Sequence, residues 1–442
     1  MNSIFNFFYK LKNQYSDVLS NMSWLLFDKL FRLGGGLIVG ILVAKYLGPS
    51  DFGLFNYSFS FVWLFSHVVT LGTDEIILKD LISFPQLKNK ILGTGLALKL
   101  IGGFSAFLLI FGATFIIKSE VDDFIFLTLI ISVSMVLKNV GVIKLLFEST
   151  LKSKFNVLAE NYAFVGVSTL RLYLISIKSD VIIFGFALIF EVLLSSFFLI
   201  YFYLKRIGKL SEFVFDKKIA REMLYNSWPL ILSGVSVMIY VKSDQFILGL
   251  IAGNYEAGIY SVAARISEIW YFIPIAIVSS IFPKIVEAKK ESSEKYESNL
   301  IFLMRILIYL SIIIAVGMTF LSEYIVLFLF GNEYLPSSLP LSIHIWVGIF
   351  VFIGIASSKI LILENLQKIY LIQTLAGAIL NVFLNIYLIP KYGAVGSSFA
   401  TLFSYGLSYL IWFFSPKSRN LGLIVLFSLF SIKLNRYTIK KY

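Results

Sequence analysis

The connectors between long apolar stretches of this chain alternate between strongly basic and almost uncharged. About twelve stretches among its 442 residues are long enough to cross a bilayer, which takes about 20 mostly apolar residues each. Lys and Arg are retained on the cytoplasmic side when a membrane protein inserts. The ends and connectors on one side hold 24 Lys and Arg, and those on the other side hold 3. The pattern predicts an all-α polytopic membrane protein with both termini in the cytoplasm.

The predicted organisation is two six-helix bundles joined by a basic linker. We expect an interfacial cytoplasmic arm over 1–22, a first bundle over 23–204, a cytoplasmic linker over 205–227, a second bundle over 228–415 and a basic cytoplasmic tail over 416–442. The stretch Leu421–Ile432 is apolar but too short to span, and we expect it at the interface. The twelve spans are placed near 23–46, 52–73, 92–117, 124–147, 157–177, 181–204, 228–251, 258–282, 300–322, 340–363, 369–389 and 393–415.

Composition excludes several classes of function. The chain is 58% hydrophobic and 14% charged, whereas a soluble domain carries about 25% charged residues. Most of the net charge of +12 lies in the predicted cytoplasmic segments, so topology explains it better than nucleic-acid binding. The sequence has no cysteine, and its two histidines are too far apart in sequence to suggest a metal site. The outside loops are short, which leaves no external domain for an enzyme. We therefore expect no metal and no bound cofactor.

The chain repeats itself halfway along its length. The run AKYLGPSDFGLF (Ala44–Phe55) recurs in weaker form as GLIAGNYEAGIY (Gly249–Tyr260) at an offset of 205 residues, so that Gly53 matches Gly258. Six predicted spans separate the copies, which gives the two halves the same orientation in the membrane. Transporters with such parallel repeats bind their substrate at the interface between the halves.

Charged residues recur inside the predicted spans, where each costs roughly 2.5–3.5 kcal/mol on insertion scales and so faces a partner or a wet cavity. The first span carries Asp28, Lys29 and Arg32 directly before Gly34–Gly36. Such a glycine run suits either a bend that lines a cavity or a close helix contact. The basic residues lie at graded depths, as a large anion crossing the bilayer would require: Lys29, Arg32, Arg171, Lys242, Arg265 and Arg305.

Acidic residues also occur inside the spans. Lys242 and Asp244 lie two residues apart, about 200° around a helix, so at least one needs a partner from another helix or from the substrate. Arg265 and Glu268 are three residues apart and able to pair. Glu191 has no cation close in sequence, and a lone carboxylate in a span can exchange a proton. The alternative for Glu191 is a partner on another helix.

Four runs of residues resemble the polysaccharide repeat-unit flippases of bacteria, the Wzx proteins of the multidrug/oligosaccharidyl-lipid/polysaccharide (MOP) exporter superfamily. They are AKYLGPSDFGLF, Tyr240–Glu268 (YVKSDQFILGLIAGNYEAGIYSVAARISE), FLFGNEY (Phe328–Tyr334) and LNIYLIPKYGAVGSSFAT (Leu384–Thr401). The resemblance implies two six-helix bundles forming a V around a cationic cavity. It also implies the flipping of undecaprenyl-diphosphate-linked oligosaccharide to the outer leaflet of the bacterial inner membrane, for O-antigen, lipopolysaccharide or other surface polysaccharide.

The same resemblance implies coupling to an H⁺ or Na⁺ gradient, with a role for Asp244, Glu191 or Glu268. The expected partners are the lipid-linked oligosaccharide, membrane lipids, and the polymerase and chain-length regulator of the same pathway. Two alternatives stay open at this point. One is a related exporter of lipid-linked peptidoglycan precursor or cationic drugs, although a pump for cations should carry more acidic than basic cavity residues. The other is a membrane polysaccharide polymerase.

Overall fold

The computed structural model describes residues 2–117 and 122–429, and every regular element within these ranges is helical. The prediction of an all-α protein is therefore confirmed for this part of the chain. The helices of the first half are α1 Asn2–Leu64, α2 Ser66–Val69, α3 Asp74–Ser83, α4 Lys88–Ile117, α5 Asp123–Leu137, α6 Val142–Ser149, α7 Lys154–Ser176 and α8 Val181–Arg206. Those of the second half are α9 Lys217–Ala252, α10 Asn254–Glu268, α11 Phe272–Glu291, α12 Ser293–Phe330, α13 Ser338–His344, α14 Val347–Leu363, α15 Gln367–Ser408, α16 Ile411–Phe414 and α17 Pro416–Leu429.

Eight helices of the described ranges are long and apolar enough to cross a membrane, and a pair bent by 49° at Ile345–Trp346 brings the number to nine. The two longest of the eight have about the length of two crossings. Ser23–Leu64 has 42 residues and Gln367–Phe414 has 48, or about 63 and 72 Å of helix against a hydrocarbon core of about 30 Å. Each contains a glycine with positive φ, Gly48 (+71°) and Gly393 (+52°), at the predicted boundary between two spans. The count of twelve and the orientation stay predictions.

Three predicted segments differ in detail from the structure. α7 covers the fifth predicted span but is not among the eight, because charged and amide side chains lower its hydropathy. The predicted arm over 1–22 continues without a break into the first span as part of α1; the side chains of residues 2–19 lie outside those described, so its interfacial placement stays a prediction. In the predicted tail, α17 packs on α12, where Leu421 and Ile424 are buried; residues 430–442 lie outside the described part.

The chain forms two compact units. The N-terminal unit comprises the chain up to Leu47 and Phe61–Val235, and the C-terminal unit comprises Gly48–Ser60 and the chain from Ser236 onward. The core of the first lies between α3, α4, α6 and α8, with Ile77, Leu92 and Phe147 fully buried. The core of the second lies between α11, α12, α14 and α17. The residue limits given above for the arm, the two bundles, the linker and the tail stay predictions.

The two copies of the sequence repeat meet inside the C-terminal unit. A side chain at Gly53 would overlap the carbonyl oxygen of Asn254, and one at Gly258 would overlap that of Pro49. The matching glycines therefore lie where two backbones touch, which only a residue without a Cβ permits.

The linker between the halves is attached to the start of α4 within the N-terminal unit. The Val214 amide donates to the Asn89 carbonyl at 3.2 Å, and the Asp216 amide donates to Thr94 Oγ1 at 2.9 Å. Asp216 also accepts from the Lys218 amide at the start of α9 and pairs with Lys90 at 3.1 Å. The Lys90 hydrogen bond and the backbone amides lower the pKa of this partly exposed carboxyl.

Candidate functional site

Four charged side chains form a connected group in the N-terminal unit, which we call the N-terminal ion network: Asp28, Arg32, Lys144 and Glu160. The Arg32 guanidinium contacts Asp28 and lies 2.7 Å from Glu160 Oε2. Lys144 Nζ donates to Glu160 Oε1 at 2.6 Å. Arg32 and Lys144 are about 40% exposed, whereas the two carboxylates are more deeply buried. A buried carboxylate is stable only when cations donate hydrogen bonds to it. Asp28 and Glu160 therefore hold the cations in place, while Arg32 and Lys144 stay partly exposed and can contact a ligand.

The glycine run of α1 positions this network. A side chain at Gly35 would approach the Phe164 ring of α7 to 2.8 Å, and Phe31 packs edge-on against the same ring at 5.7 Å. α1 continues as helix through Gly34–Gly36. Of the two uses that the sequence left open, the structure thus shows the close helix contact. That contact brings Arg32 of α1 against Glu160 of α7.

A second ion pair lies farther along α7, toward its C-terminal end. Arg171 Nη2 lies 3.5 Å from Glu191 Oε2 on α8, so Glu191 has the partner on another helix that the sequence analysis held as its alternative. Arg171 is 21% exposed and Glu191 is 36% exposed. Arg171 and Glu191, both candidate site residues, therefore form an ion pair with each other in this structure.

The remaining predicted cations are spread over several helices. Lys29 is exposed on α1 of the N-terminal unit. In the C-terminal unit, Lys242 on α9 and Arg305 on α12 are half-buried, and neither has an ion-pair partner among the described residues. The Arg265 guanidinium lies over the Phe52 ring, 5.7 Å from its centre, in a cation–π contact. The six cations therefore do not form one cluster within either unit.

The C-terminal unit contains a cavity of about 390 Å³, which we call the tyrosine chamber. Helices α9, α10, α14 and α15 supply most of its wall. Its volume is within the range of small-molecule sites. Asp244, Glu268 and His344 line it, but no lysine or arginine does. Six tyrosines also line it: Tyr240, Tyr260, Tyr271, Tyr370, Tyr405 and Tyr409.

Asp244 is the most deeply buried acid of the chamber, with 4% of its surface exposed. Its Oδ2 accepts hydrogen bonds from Tyr260 Oη at 3.0 Å and Thr401 Oγ1 at 2.7 Å, and its Oδ1 accepts from Asn385 Nδ2 at 2.6 Å. Asn385 is held in turn by Ser397, whose hydroxyl donates to it at 2.9 Å. Lys242, two residues away on α9, does not line the chamber. The partners that the sequence analysis required for Asp244 are thus hydroxyl and amide groups of α10 and α15.

Glu268 lies at the exposed part of the chamber wall, unlike Asp244. Of the three acids considered for ion coupling, Glu191 is paired with an arginine, Glu268 is exposed and Asp244 is enclosed by neutral donors. Within the described residues, no group of three or more His, Asp or Glu side chains could hold a metal ion.

Sequence reasoning missed most of the chamber. Tyr405 on α15 and Tyr409, the residue that follows this helix, are four residues apart, and Asn381 and Asn385 share a face of α15. Two asparagines at helical spacing inside an apolar span were the available signal for a polar site. His344 was considered only as a metal ligand.

A sequence profile of the family described as "Polysaccharide biosynthesis protein" matches residues 18–289, more than half of the chain. The chain belongs to this family. Curated relatives include the "Probable low-salt glycan biosynthesis flippase Agl15" of Haloferax volcanii, 26% identical over 192 residues, which are 43% of this chain and 41% of the relative. The "Putative O-antigen transporter" of Shigella dysenteriae is 26% identical over 262 residues, 59% of this chain and 65% of the relative. The matches thus span less than two thirds of either relative.

Two solved structures share the fold of this member of the polysaccharide biosynthesis family. The "Lipid II flippase MurJ, inward closed conformation" matches with a TM-score of 0.71 and 18% identity over 92% of this chain and 91% of that one. A multidrug resistance MATE family transporter in its inward-facing conformation matches with a TM-score of 0.70 and 16% identity over 89% and 95%. The resemblance found in the sequence is confirmed, and the family member is a multi-pass membrane protein of that fold.

Proposed function

We propose that this chain flips lipid-linked oligosaccharide repeat units, carried on undecaprenyl diphosphate, from the cytoplasmic to the outer leaflet of the bacterial inner membrane. The observation that carries the proposal is the N-terminal ion network, since a helical bundle that served only as a scaffold would not require half-open cations inside the membrane. Membership of the polysaccharide biosynthesis family and relatives named as glycan flippases or O-antigen transporters support the substrate class.

The diphosphate would bind by exchanging carboxylate contacts for phosphate contacts. Arg32 offers a planar guanidinium that matches phosphate oxygens, and Lys144 offers a second positive charge across Glu160. Lys29, Arg171, Lys242, Arg265 and Arg305 stay the further proposed contacts. Because Arg32 remains about 40% exposed while it is paired, an incoming anion can reach it before the carboxylates release it.

Asp244 would couple this movement to a cation gradient. The carboxylate oxygens, the hydroxyl oxygens of Tyr260 and Thr401, and Asn381 Oδ1, which shares the Asn385 amide with the carboxylate, would bind a proton or Na⁺. A cation that binds Asp244 neutralises the buried carboxylate and lowers the cost of keeping it away from water. The conformation in which Asp244 is buried is then favoured over one in which it is exposed. Glu191 and Glu268 are weaker candidates, because one is paired and the other is exposed.

Glycolipid analysis of a strain that lacks the gene tests the proposal. We expect complete lipid-linked repeat units to accumulate on the cytoplasmic face and surface polymer to disappear, with both restored by the wild-type gene. Arg32→Ala and Lys242→Ala should fail to restore polymer at normal membrane abundance. Single repeat units that reach the surface without polymerising would indicate a polymerase instead. Unchanged polysaccharides in the deletion strain would refute the proposal.

A further inference from the structure

We propose that the tyrosine chamber binds a sugar ring of the translocated oligosaccharide and so selects which repeat unit is accepted. The inference rests on the proposed function, since it assigns the saccharide part of that substrate to the C-terminal unit. Its basis is the chemistry of the chamber wall, which differs from that of the N-terminal ion network.

The wall excludes the diphosphate. Its ionisable acids are Asp244 and Glu268, and none of its residues is a lysine or an arginine. Two carboxylates repel an anion placed beside them, and the wall has no lysine or arginine to compensate. The occupant is therefore neutral or positively charged.

The aromatic residues favour a flat, amphipathic occupant. Tyr240 and Tyr405 stack with their ring centres 4.2 Å apart, and Tyr409 packs edge-on against Trp412 at 4.7 Å. Such packing holds the rings rigidly, so that they bind with little loss of conformational entropy. Each tyrosine offers an apolar face and a hydroxyl, which matches the C–H faces and equatorial hydroxyls of a pyranose ring.

A buried polar atom of the wall lacks a partner in the described structure. His344 is 4% exposed, and its Nδ1 has no hydrogen bond among the described residues. Its ring packs edge-on against Tyr260 at 5.6 Å, which fixes the imidazole at the chamber. Buried polar atoms are almost always paired, and His344 belongs to the chamber wall, so a turn of its ring lets a ligand in the chamber supply the missing hydrogen bond. A sugar hydroxyl supplies it either as donor or as acceptor.

The arrangement suits a polyol better than an organic cation. Both Asp244 oxygens already accept hydrogen bonds from protein groups, so the carboxylate is compensated before any ligand enters. Gln373 adds an amide whose Oε1 accepts from the Trp412 indole at 2.8 Å. An organic cation would gain from Glu268 at the exposed wall but would leave His344 unpaired.

Ligand-observed NMR on the purified full-length chain tests the inference. The probe is the free oligosaccharide released by mild acid from the lipid-linked pool of the host strain, so that no diphosphate contributes to binding. We expect saturation transfer to the sugar from the wild-type protein. Tyr271→Ala and His344→Ala should weaken binding about tenfold or more, the factor that corresponds to about 1.4 kcal/mol. The matched control Tyr324→Ala, a tyrosine that is 71% exposed on α12, should bind like the wild type. His344→Gln, which restores a hydrogen-bonding group, should recover part of the affinity and exclude misfolding as the cause.

Three results would overturn the inference. One is sugar binding that is unchanged in both chamber variants, and another is binding of tetraphenylphosphonium but of no saccharide. The third is no saccharide binding at all by a wild-type protein that still transports the lipid-linked substrate, in which case the proposed function stands and only the chamber assignment fails. If the wild-type protein neither binds the sugar nor transports its lipid-linked form, the proposed function fails as well.

Discussion

Replacing Asp244 by asparagine separates the structural contribution of this residue from its proposed coupling role. The carboxylate accepts three hydrogen bonds, from Tyr260, Thr401 and Asn385. Asparagine keeps one oxygen, which can retain the two hydroxyl donors, but it turns an amide toward the Asn385 amide. One hydrogen bond to a charged group is then lost, which amounts to about 1.5–3 kcal/mol. Alanine would lose all three and leave buried donors unpaired, at a cost of about 3–6 kcal/mol.

We therefore expect Asp244→Asn to reach the membrane at near-normal abundance, with a lower melting temperature in detergent, yet to lose cation-driven transport. Asp244→Glu keeps the charge and should retain part of the coupling. Asp123→Asn, an exposed aspartate at the start of α5, is the matched control and should change neither property. The assay is transport of lipid-linked oligosaccharide into proteoliposomes with and without an imposed H⁺ or Na⁺ gradient. Transport by Asp244→Asn that still depends fully on the gradient would refute the reasoning.

Three further predictions concern stability and can be measured by thermal unfolding in detergent. Gly258→Ala should destabilise the protein by about 1–3 kcal/mol, because the added Cβ meets the carbonyl group of Pro49. The control Gly317→Ala, where the Cβ enters open space, should be neutral or stabilising by up to about 1 kcal/mol. Equal effects of the two substitutions would contradict the backbone contact. Arg32→Ala should cost about 1–2 kcal/mol, less than a fully buried pair because the guanidinium is partly exposed, and no cost would contradict its pairing. The Lys90 hydrogen bond lowers the pKa of Asp216. The stability that Asp216 contributes is therefore present above the ordinary aspartate pKa and is lost as the pH falls through the lowered pKa. Asp216→Asn should flatten this dependence of stability on acid pH, and an unchanged pH profile would contradict the linker contact.

The distribution of charge along the chain predicted the class of fold because it depends on single segments. Insertion physics acts on each connector and each span in turn, so neither the basic connectors nor the apolar spans require knowledge of helix pairing. The resemblance to MOP exporters followed from local runs such as Tyr240–Glu268 and is confirmed by the family profile and the fold. The boundaries near Gly48 and Gly393 were placed where apolar stretches end, which is also a local property, and the structure has a glycine with positive φ at each.

The candidate site was less accessible, because it depends on which helices pack together. Glu191 and Arg171 lie on neighbouring helices in the fold but 20 residues apart in sequence, and nothing local links them. Asp244 meets Thr401 across 157 positions of sequence. The chamber tyrosines come from several helices, and each alone resembles an ordinary aromatic residue of an apolar span. One sequence shows that a buried charge needs a partner, whereas only the packing shows which partner it has.

The proposed flipping activity is tested most directly with purified protein in liposomes that carry the host's lipid-linked oligosaccharide in both leaflets. The quantity to measure is the fraction of oligosaccharide that a membrane-impermeant lectin or periodate can reach over time. A flippase should make the inner-leaflet fraction accessible, faster with a cation gradient than without one, and Arg32→Ala should abolish the effect. An accessible fraction that stays constant in wild-type liposomes, with folded protein and an imposed gradient, would contradict the central claim.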